Sequence, residues 1–444
     1  MGYLNTKFHL TTFQIILLGF AGTILIGSLL LMTPLASRSG EVTPFLDTLF
    51  TATSAVCVTG LIVKDTATYW TFFGQAVIII LIQIGGMGFI TLAITFSRLT
   101  GKKIGLVQRS AMQEAISAPQ VGGMVRLTSF IVSMTFLFEG LGALAMFPVF
   151  AGDFGWKKGI WLSVFHSISA FCNAGFDLMG TRAPFSSLVS YQSNADINIT
   201  IMLLIVTGGI GFLTWNDIKN HGLRFKEYRT QSKTILVTTA FLIIIPAVVF
   251  YFMEFRDLPL GTRILSSFFQ SVTPRTAGFN TADYSKFSDD GIALTIVLML
   301  IGGSPGSTAG GMKTTTIAVL LATMLSVFKR QPSAAMFRRR IADESIRNAM
   351  TIFVMYVTLF LLGGMIISHV EQLPLQSCLF ETASAVGTVG LTLGLTAHLQ
   401  AVSKVILILL MYFGRVGGLT MIFAAVARKD HGNAKLPMDK ITVG

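Results

Sequence analysis

Apolar residues run along this chain in long blocks, at about 13–35, 72–97, 127–151, 196–218, 234–253, 291–328, 348–370 and 401–427. Each block is near the ~20 residues that an α-helix needs to cross ~30 Å of hydrocarbon, so the pattern predicts eight membrane spans. The first run is longer than the ~7–15 residues of a signal-peptide core and lacks a small-residue cleavage site. It is expected to remain as the first membrane helix. Four of the intervening segments, 36–71, 152–195, 254–290 and 371–400, each hold a second, shorter apolar stretch, at 44–56, 159–171, 263–272 and 375–386. A helix of that length rises about 20 Å, too little to cross, so these stretches read as re-entrant half-helices.

Aligning the half-helices exposes an internal repeat. Three contain Ser-Ala-(Val/Phe)-x-x-x-Gly: Ser54-Ala55-Val56 before Gly60, Ser169-Ala170-Phe171 before Gly175, and Ser384-Ala385-Val386 before Gly390. The third copy keeps only the tail, Pro274-Arg275-Thr276-Ala277-Gly278-Phe279. The four glycines stand 115, 103 and 112 residues apart, and each is followed by a glycine pair, at 85–86, 208–209, 302–303 and 417–418. Two markers in the same order, four times over, predict a fourfold span, half-helix, glycine, span array. The units are 1–126, 127–232, 233–346 and 347–444.

Composition agrees with a bilayer. Of 444 residues 52% are hydrophobic and 12% charged, about half the charge of an ordinary soluble domain. That excludes a soluble enzyme, a disordered chain and a disulfide scaffold, and the three cysteines give no metal-ligand spacing. The net charge of +12 is spread over loops rather than set in a basic stripe with exposed aromatics, so no nucleic acid is expected as partner. Segments 1–12, 98–126, 219–233, 329–347 and 428–444 collect 21 lysines and arginines against nine on the opposite side. By the positive-inside rule the richer side, with both termini, is cytoplasmic.

Backbone that is neither helix nor closed barrel survives at membrane depth only when buried in protein or lining a wet cavity. Four half-helices ending in glycine segments supply such a lining. Set around one axis, their carbonyls can replace a cation's hydration shell, and the half-helix C-termini, each about −0.5 charge, favour a cation there. A lone glycine at such a place reads as a helix terminator; four at equivalent positions argue for a ring.

Val56-Cys57-Val58-Thr59-Gly60-Leu61, Phe171-Cys172-Asn173-Ala174-Gly175-Phe176, Thr273-Pro274-Arg275-Thr276-Ala277-Gly278-Phe279-Asn280 and Gly387-Thr388-Val389-Gly390-Leu391-Thr392 resemble the four filter segments of the Trk/Ktr/HKT potassium-uptake superfamily. The resemblance covers essentially the whole chain. Eight spans with no additional N-terminal pair are most similar to its Ktr membrane subunits. It implies an all-α membrane protein of four pseudo-repeated helix–pore helix–helix (M1-P-M2) units around one central pore. All four filter glycines are present, which in that family implies potassium. Cys57 and Cys172 stand where Thr or Asn is expected, which is immaterial if those positions offer only carbonyls. The resemblance also implies a homodimer and a cytosolic RCK-type nucleotide-binding regulatory ring (KtrA/KtrC-like). ATP, ADP or NAD would sit on that ring, with no cofactor on this chain. The short basic inward loops suit docking onto an acidic partner surface.

The run at 291–328 is interrupted by Gly302-Gly303-Ser304-Pro305-Gly306-Ser307-Thr308-Ala309-Gly310-Gly311. Interior Gly costs ~1 kcal/mol against Ala and Pro ~3, so this stretch cannot stay a straight helix. It reads as an intramembrane loop facing the cavity, or as a kinked packing helix. The resemblance favours a gate below the filter. Arg415, in a span, needs a cavity or a partner. The resemblance puts it under the filter as an electrostatic barrier; Glu139 or loop carbonyls are the alternative partners. Lys313 can contact the loop or snorkel inward. Glu139 reads as a satisfied buried acid, His166 as a packing residue with one hydrogen bond, and Gln83 as a support for the filter. An alternating-access symporter is the rival to a pore; no catalytic constellation for an intramembrane enzyme is found.

Overall fold

The computed structural model describes residues 11–100, 105–116 and 122–425. The basic tail at 428–440, Lys102 and Lys103 lie outside the described residues. The chain is mostly helical. It begins with α1 (Thr12–Met32), α2 (Phe45–Val56), α3 (Phe72–Met87) and α4 (Phe89–Leu99). A short α5 (Leu106–Ile116) leads to α6 (Met124–Phe154), α7 (Trp156–Phe171), α8 (Ala195–Gly209) and α9 (Phe212–His221). Next come α10 (Thr230–Met253), α11 (Leu260–Val272), α12 (Asp289–Leu300) and α13 (Thr314–Phe328). A two-residue hairpin, β1 (Ala335–Met336) and β2 (Arg339–Arg340), pairs Ala335 with Arg340. It precedes α14 (Asp343–Glu371), α15 (Leu375–Val386), α16 (Ala401–Val416) and α17 (Gly418–Ala425).

Helices α1, α6, α10 and α14 are unbroken and long and apolar enough to cross a membrane. Their outward faces carry exposed large side chains, among them Ile26 and Leu29, Leu141 and Leu144, Ile244 and Val248, and Leu362 and Met365. Apolar faces of this extent suit lipid rather than water. This is a multi-pass membrane protein.

The other four expected spans are broken. Helix α4 leaves α3 at 94° and α9 leaves α8 at 95°. The breaks fall at Gly88 and Gly211, whose φ of +83° and +90° a right-handed helix cannot hold. Gly417, at φ +89°, divides α16 from α17, and residues 301–313 divide α12 from α13. At Gly88, Gly211 and Gly417 apolar residues stand on both sides, so there the expectation of a continuous span is corrected by glycine geometry, whereas the break at 301–313 falls in the Gly- and Pro-rich stretch expected to interrupt its span.

The short helices α2, α11 and α15 follow Pro44, Pro259 and Pro374, whose fixed φ pre-orients the first turn. Each half-helix packs against the span before it: α2 on α1, α7 on α6, α11 on α10, α15 on α14. The contacts then pass onward, α3 to α7, α8 to α11, α12 to α15 and α16 back to α2. The core therefore lies where the half-helices converge. Phe50, Phe165, Phe269 and Phe380, one per half-helix, are wholly buried there.

Candidate functional site

The four glycines meet in one ring. A Cβ added to Gly60 would lie 2.6 Å from the Ala174 carbonyl oxygen, and one on Gly175 would lie 2.7 Å from that of Ala277. A Cβ on Gly278 would strike the Val389 carbonyl, and one on Gly390 the Thr59 carbonyl, which closes the circle. Each glycine thus abuts the peptide before the next glycine. Their φ values of +94°, +69°, +79° and +95° are a second reason why no other residue suits them.

Two residues upstream, Val58, Asn173, Thr276 and Thr388 also lie in the left-handed region, at φ +50°, +57°, +63° and +51°. Non-glycine residues rarely do so, and the same exception at four equivalent places marks a shared backbone path. In three copies it ends the half-helix: the amides of Thr59, Ala174 and Val389 reach back to the carbonyls of Ser54, Ser169 and Ser384 at 2.8, 2.8 and 2.7 Å. The third copy, one residue shorter, bonds Ala277 to Thr273 instead.

The serines of the sequence motif now have a purpose. Ser54 and Ser384 hydroxyls accept from the Gly60 and Gly390 amides at 3.1 and 3.0 Å. Ser169 donates to the Phe176 carbonyl at 2.7 Å, and Thr273 donates to that of Phe279. Hydroxyls of Thr59, Thr276 and Thr388 are buried without a protein hydrogen-bond partner.

Side chains of the segments turn away from the ring where they can. Arg275 donates to the Thr239 hydroxyl of α10 at 3.2 Å. Cys57 and Cys172 are buried. The Cys172 thiol lies 3.8 Å from both Gln83 and Glu139, and Gln83 donates to Glu139 at 3.3 Å. Glu139 is thus a satisfied buried acid, and Gln83 backs the second segment. His166 bonds the Leu162 carbonyl at 2.7 Å and accepts from the Leu178 amide at 3.3 Å.

One cavity of about 300 Å³ is lined by all four glycines with Asp177, Asp283 and His398. A separate one of about 200 Å³ is lined by Gly86, Gly306, Ser307, Lys313, Gly414 and Arg415. No residue lines both. The loop between α12 and α13 borders the second. Its base is closed by Gly302 N–H to Met312 O at 2.7 Å and Thr314 N–H to Gly303 O at 3.0 Å. Across it, Ser304 and Thr308 amides donate to Gly209 and Gly208 carbonyls at 3.0 and 3.3 Å, and Gly311 donates to Gly414 O at 3.1 Å. The Phe212 amide donates to Gly306 O at 2.8 Å, and a Cβ on Gly211 would meet Pro305 O at 2.6 Å. Thr308 hydroxyl lies 3.0 Å from Phe171 O and from Asn173 Oδ1, linking loop to ring. Ser307 hydroxyl donates to Ser304 O at 2.7 Å; Ala309 is buried, and a Cβ on Gly310 would strike Thr388. Lys313 donates to Ala309 O at 2.8 Å. Arg415 donates to carbonyls of Thr308, Gly85 and Gly86.

The second glycine marker needs correcting in the fourth copy. Gly85, Gly208 and Gly414 each press on the last carbonyl of a half-helix, at Val56, Phe171 and Val386. Three residues on come the left-handed Gly88, Gly211 and Gly417. The pattern is Gly-x-x-Gly, and Gly417-Gly418 is out of register by three. Arg415 therefore occupies the position of Gly86 and Gly209.

A family model described as TrkH, cation transport protein, matches residues 10–435. The chain is 43% identical over 447 residues to the potassium/sodium uptake protein NtpJ of Enterococcus hirae, covering 98% of both. It is 38% identical to Ktr system potassium uptake protein B of Bacillus subtilis, covering 97% of this chain and 96% of that one. The crystal structure of the potassium transporter TrkH from Vibrio parahaemolyticus has the same fold, with a TM-score of 0.74 at 17% identity, over 96% of this chain and 87% of that one. These relatives are transporters and not enzymes. With a match running from end to end, the chain belongs to the TrkH family of cation transport proteins.

Proposed function

We propose that this chain is the ion-conducting subunit of a potassium uptake system, built of four M1-P-M2 units, 1–126, 127–232, 233–346 and 347–444, around one pore. The carbonyls of 57–60, 172–175, 275–278 and 387–390 form its filter. What carries this reading is the cyclic abutment of Gly60, Gly175, Gly278 and Gly390, since backbone oxygens packed so closely around a common centre suit a dehydrated cation. The hydroxyls of Thr59, Thr276 and Thr388, one or two residues before the ring glycines, are buried without a protein partner. Relatives are named for potassium or potassium/sodium uptake. Four glycines, with no larger residue in the ring, favour potassium here.

The loop 302–312, with Lys313 and Arg415, is the gate: it borders the inner cavity, and its hydrogen bonds to the second and fourth units hold it across the path. Both termini face the cytoplasm, where the basic loops dock a nucleotide-binding ring, and the subunit works as a homodimer. The test is rubidium uptake into proteoliposomes holding only this chain, with competing ions. Saturable uptake that potassium inhibits far better than sodium is expected. Equal inhibition by the two would reject the potassium assignment, and strict co-transport stoichiometry would reject the pore. Nucleotide dependence that survives without the ring would reject its regulatory role.

A further inference from the structure

Away from both cavities, a groove of about 1200 Å³ runs between the start of α6 and the bent-off helix α9. Arg126, Phe130 and Met134 line one wall, four residues apart and so stacked on one face of α6. Leu213, Trp215 and Lys219 come from α9. Arg126 lies in the first turn of a spanning helix, so its charge stands at the membrane edge while Phe130 and Met134 descend into the apolar layer. Helix α9, at 95° to α8, lies across the end of its span, and Trp215 is fixed by an Nε1–H bond to the Thr207 carbonyl at 2.9 Å.

The charges at the lip are uncompensated. Arg126 and Lys219 are exposed, and neither has an ion-pair partner among the described residues. Lys219 instead stands 4.9 Å over the Phe130 ring. Arg229, which also lines the groove, is already paired with Asp217 at 3.4 Å.

We propose that this groove binds one anionic phospholipid, its phosphate between Arg126 and Lys219 and an acyl chain along Phe130 and Met134. A phosphodiester needs cationic donors, and its chain needs an apolar wall that starts where the donors stop. A free phosphate would use the cations and leave the wall idle; the apolar descent therefore favours the lipid.

The test uses the full chain in phosphatidylcholine vesicles in which about a tenth of the lipid carries brominated acyl chains, on either phosphatidylglycerol or phosphatidylcholine headgroups. Bromine quenches tryptophan on contact, and the Trp215 share is the difference from W215F. Brominated phosphatidylglycerol is expected to quench Trp215 roughly fivefold more strongly per mole, the scale of one surface cation acting on an anionic lipid. The preference should vanish in R126Q/K219Q, persist in R126K/K219R, and persist in K157Q/K158Q, which alters exposed lysines in the first turn of α7. Equal quenching by the two lipids in the wild-type chain overturns the proposal. So does loss of the preference on adding millimolar inorganic phosphate, which would make the groove a free-anion site.

Discussion

Arg415 and Thr308 join the end of α16 to the loop between α12 and α13, the guanidinium donating to the Thr308 carbonyl while its other terminal nitrogen holds Gly85 and Gly86. One side chain thus ties α16, the loop and the end of α3 together. Hydrogen bonds from a charged group are worth ~1.5–3 kcal/mol each, less whatever water restores. Arg415→Ala is expected to lower stability by about 3 kcal/mol and to raise basal rubidium flux about tenfold, one order in rate for ~1.4 kcal/mol of barrier. Arg415→Lys, with a point charge in place of the fork, should fall between. Wild-type flux with a lowered melting temperature would leave Arg415 a structural tie and no gate.

Gly60→Ser puts a Cβ 2.6 Å from the Ala174 carbonyl, at a φ of +94°. The carbonyl must swing off the axis, so the potassium-over-sodium permeability ratio should drop about tenfold, the effect of ~1.4 kcal/mol. Ratios measured in reconstituted vesicles that match the wild type would count against the filter assignment.

Removing 304–309 deletes the loop's bonds to Gly208, Gly209 and Arg415 but leaves the ring glycines in place. Ungated uptake, faster than wild type in the same vesicles, is the expected result. An unchanged rate would refute a gate there.

Ser384→Ala removes the acceptor for the Gly390 amide, bonded at 3.0 Å. Leaving a buried donor unpaired costs ~1–3 kcal/mol. The variant should melt earlier and require more rubidium for half-maximal uptake, whereas Ser384→Thr should keep both. A lower melting temperature at unaltered rubidium affinity would confine Ser384 to folding.

Asp177 lies in the loop after α7 and lines the cavity above the glycines. Burial raises its carboxyl to about 7; the Met179 amide acts against this and Asp65 acts with it. The unfolded carboxyl titrates near ~3.9, so the folded chain keeps a proton that the unfolded chain gives up. That contribution to stability is full below about 4 and lost as pH rises through about 7. Above it a negative charge stands beside the ring. Uptake should rise between about pH 6 and 8, and Asp177→Asn should flatten the profile. A profile identical in variant and wild type would remove Asp177 from the account.

Much of this architecture is legible in the amino-acid sequence, and the rest is hidden for identifiable physical reasons. The ring glycines stood out because no other residue combines left-handed φ with such close backbone approach, so the requirement leaves a mark at one letter. The breaks at Gly88 and Gly211 left none, since the residues next to them, Met87 and Phe89 and Ile210 and Phe212, are all apolar. The fourth marker is ambiguous in sequence because Gly414, Gly417 and Gly418 are the same letter; only the contact with Val386 distinguishes them. Phe50, Phe165 and Phe380, each ten residues before its glycine, and Phe269, nine before, mark the same repeat in the sequence. Arg275 turning to Thr239, or Thr308 touching Asn173, depends on pairings far apart along the chain, which no local motif encodes.

In the proposed fourfold array Arg415 stands in one unit where two others have glycine, and this is possible because the units are joined in a single polypeptide. Four identical separate chains would each bring the same guanidinium to that level. Pairs ~10 Å apart would repel by about 2 kcal/mol at a surface-like dielectric, and no carbonyl pattern could accept all four alike. A tandem gene can place a lone bolt on a near-symmetric door; a homotetramer has to fit four or none.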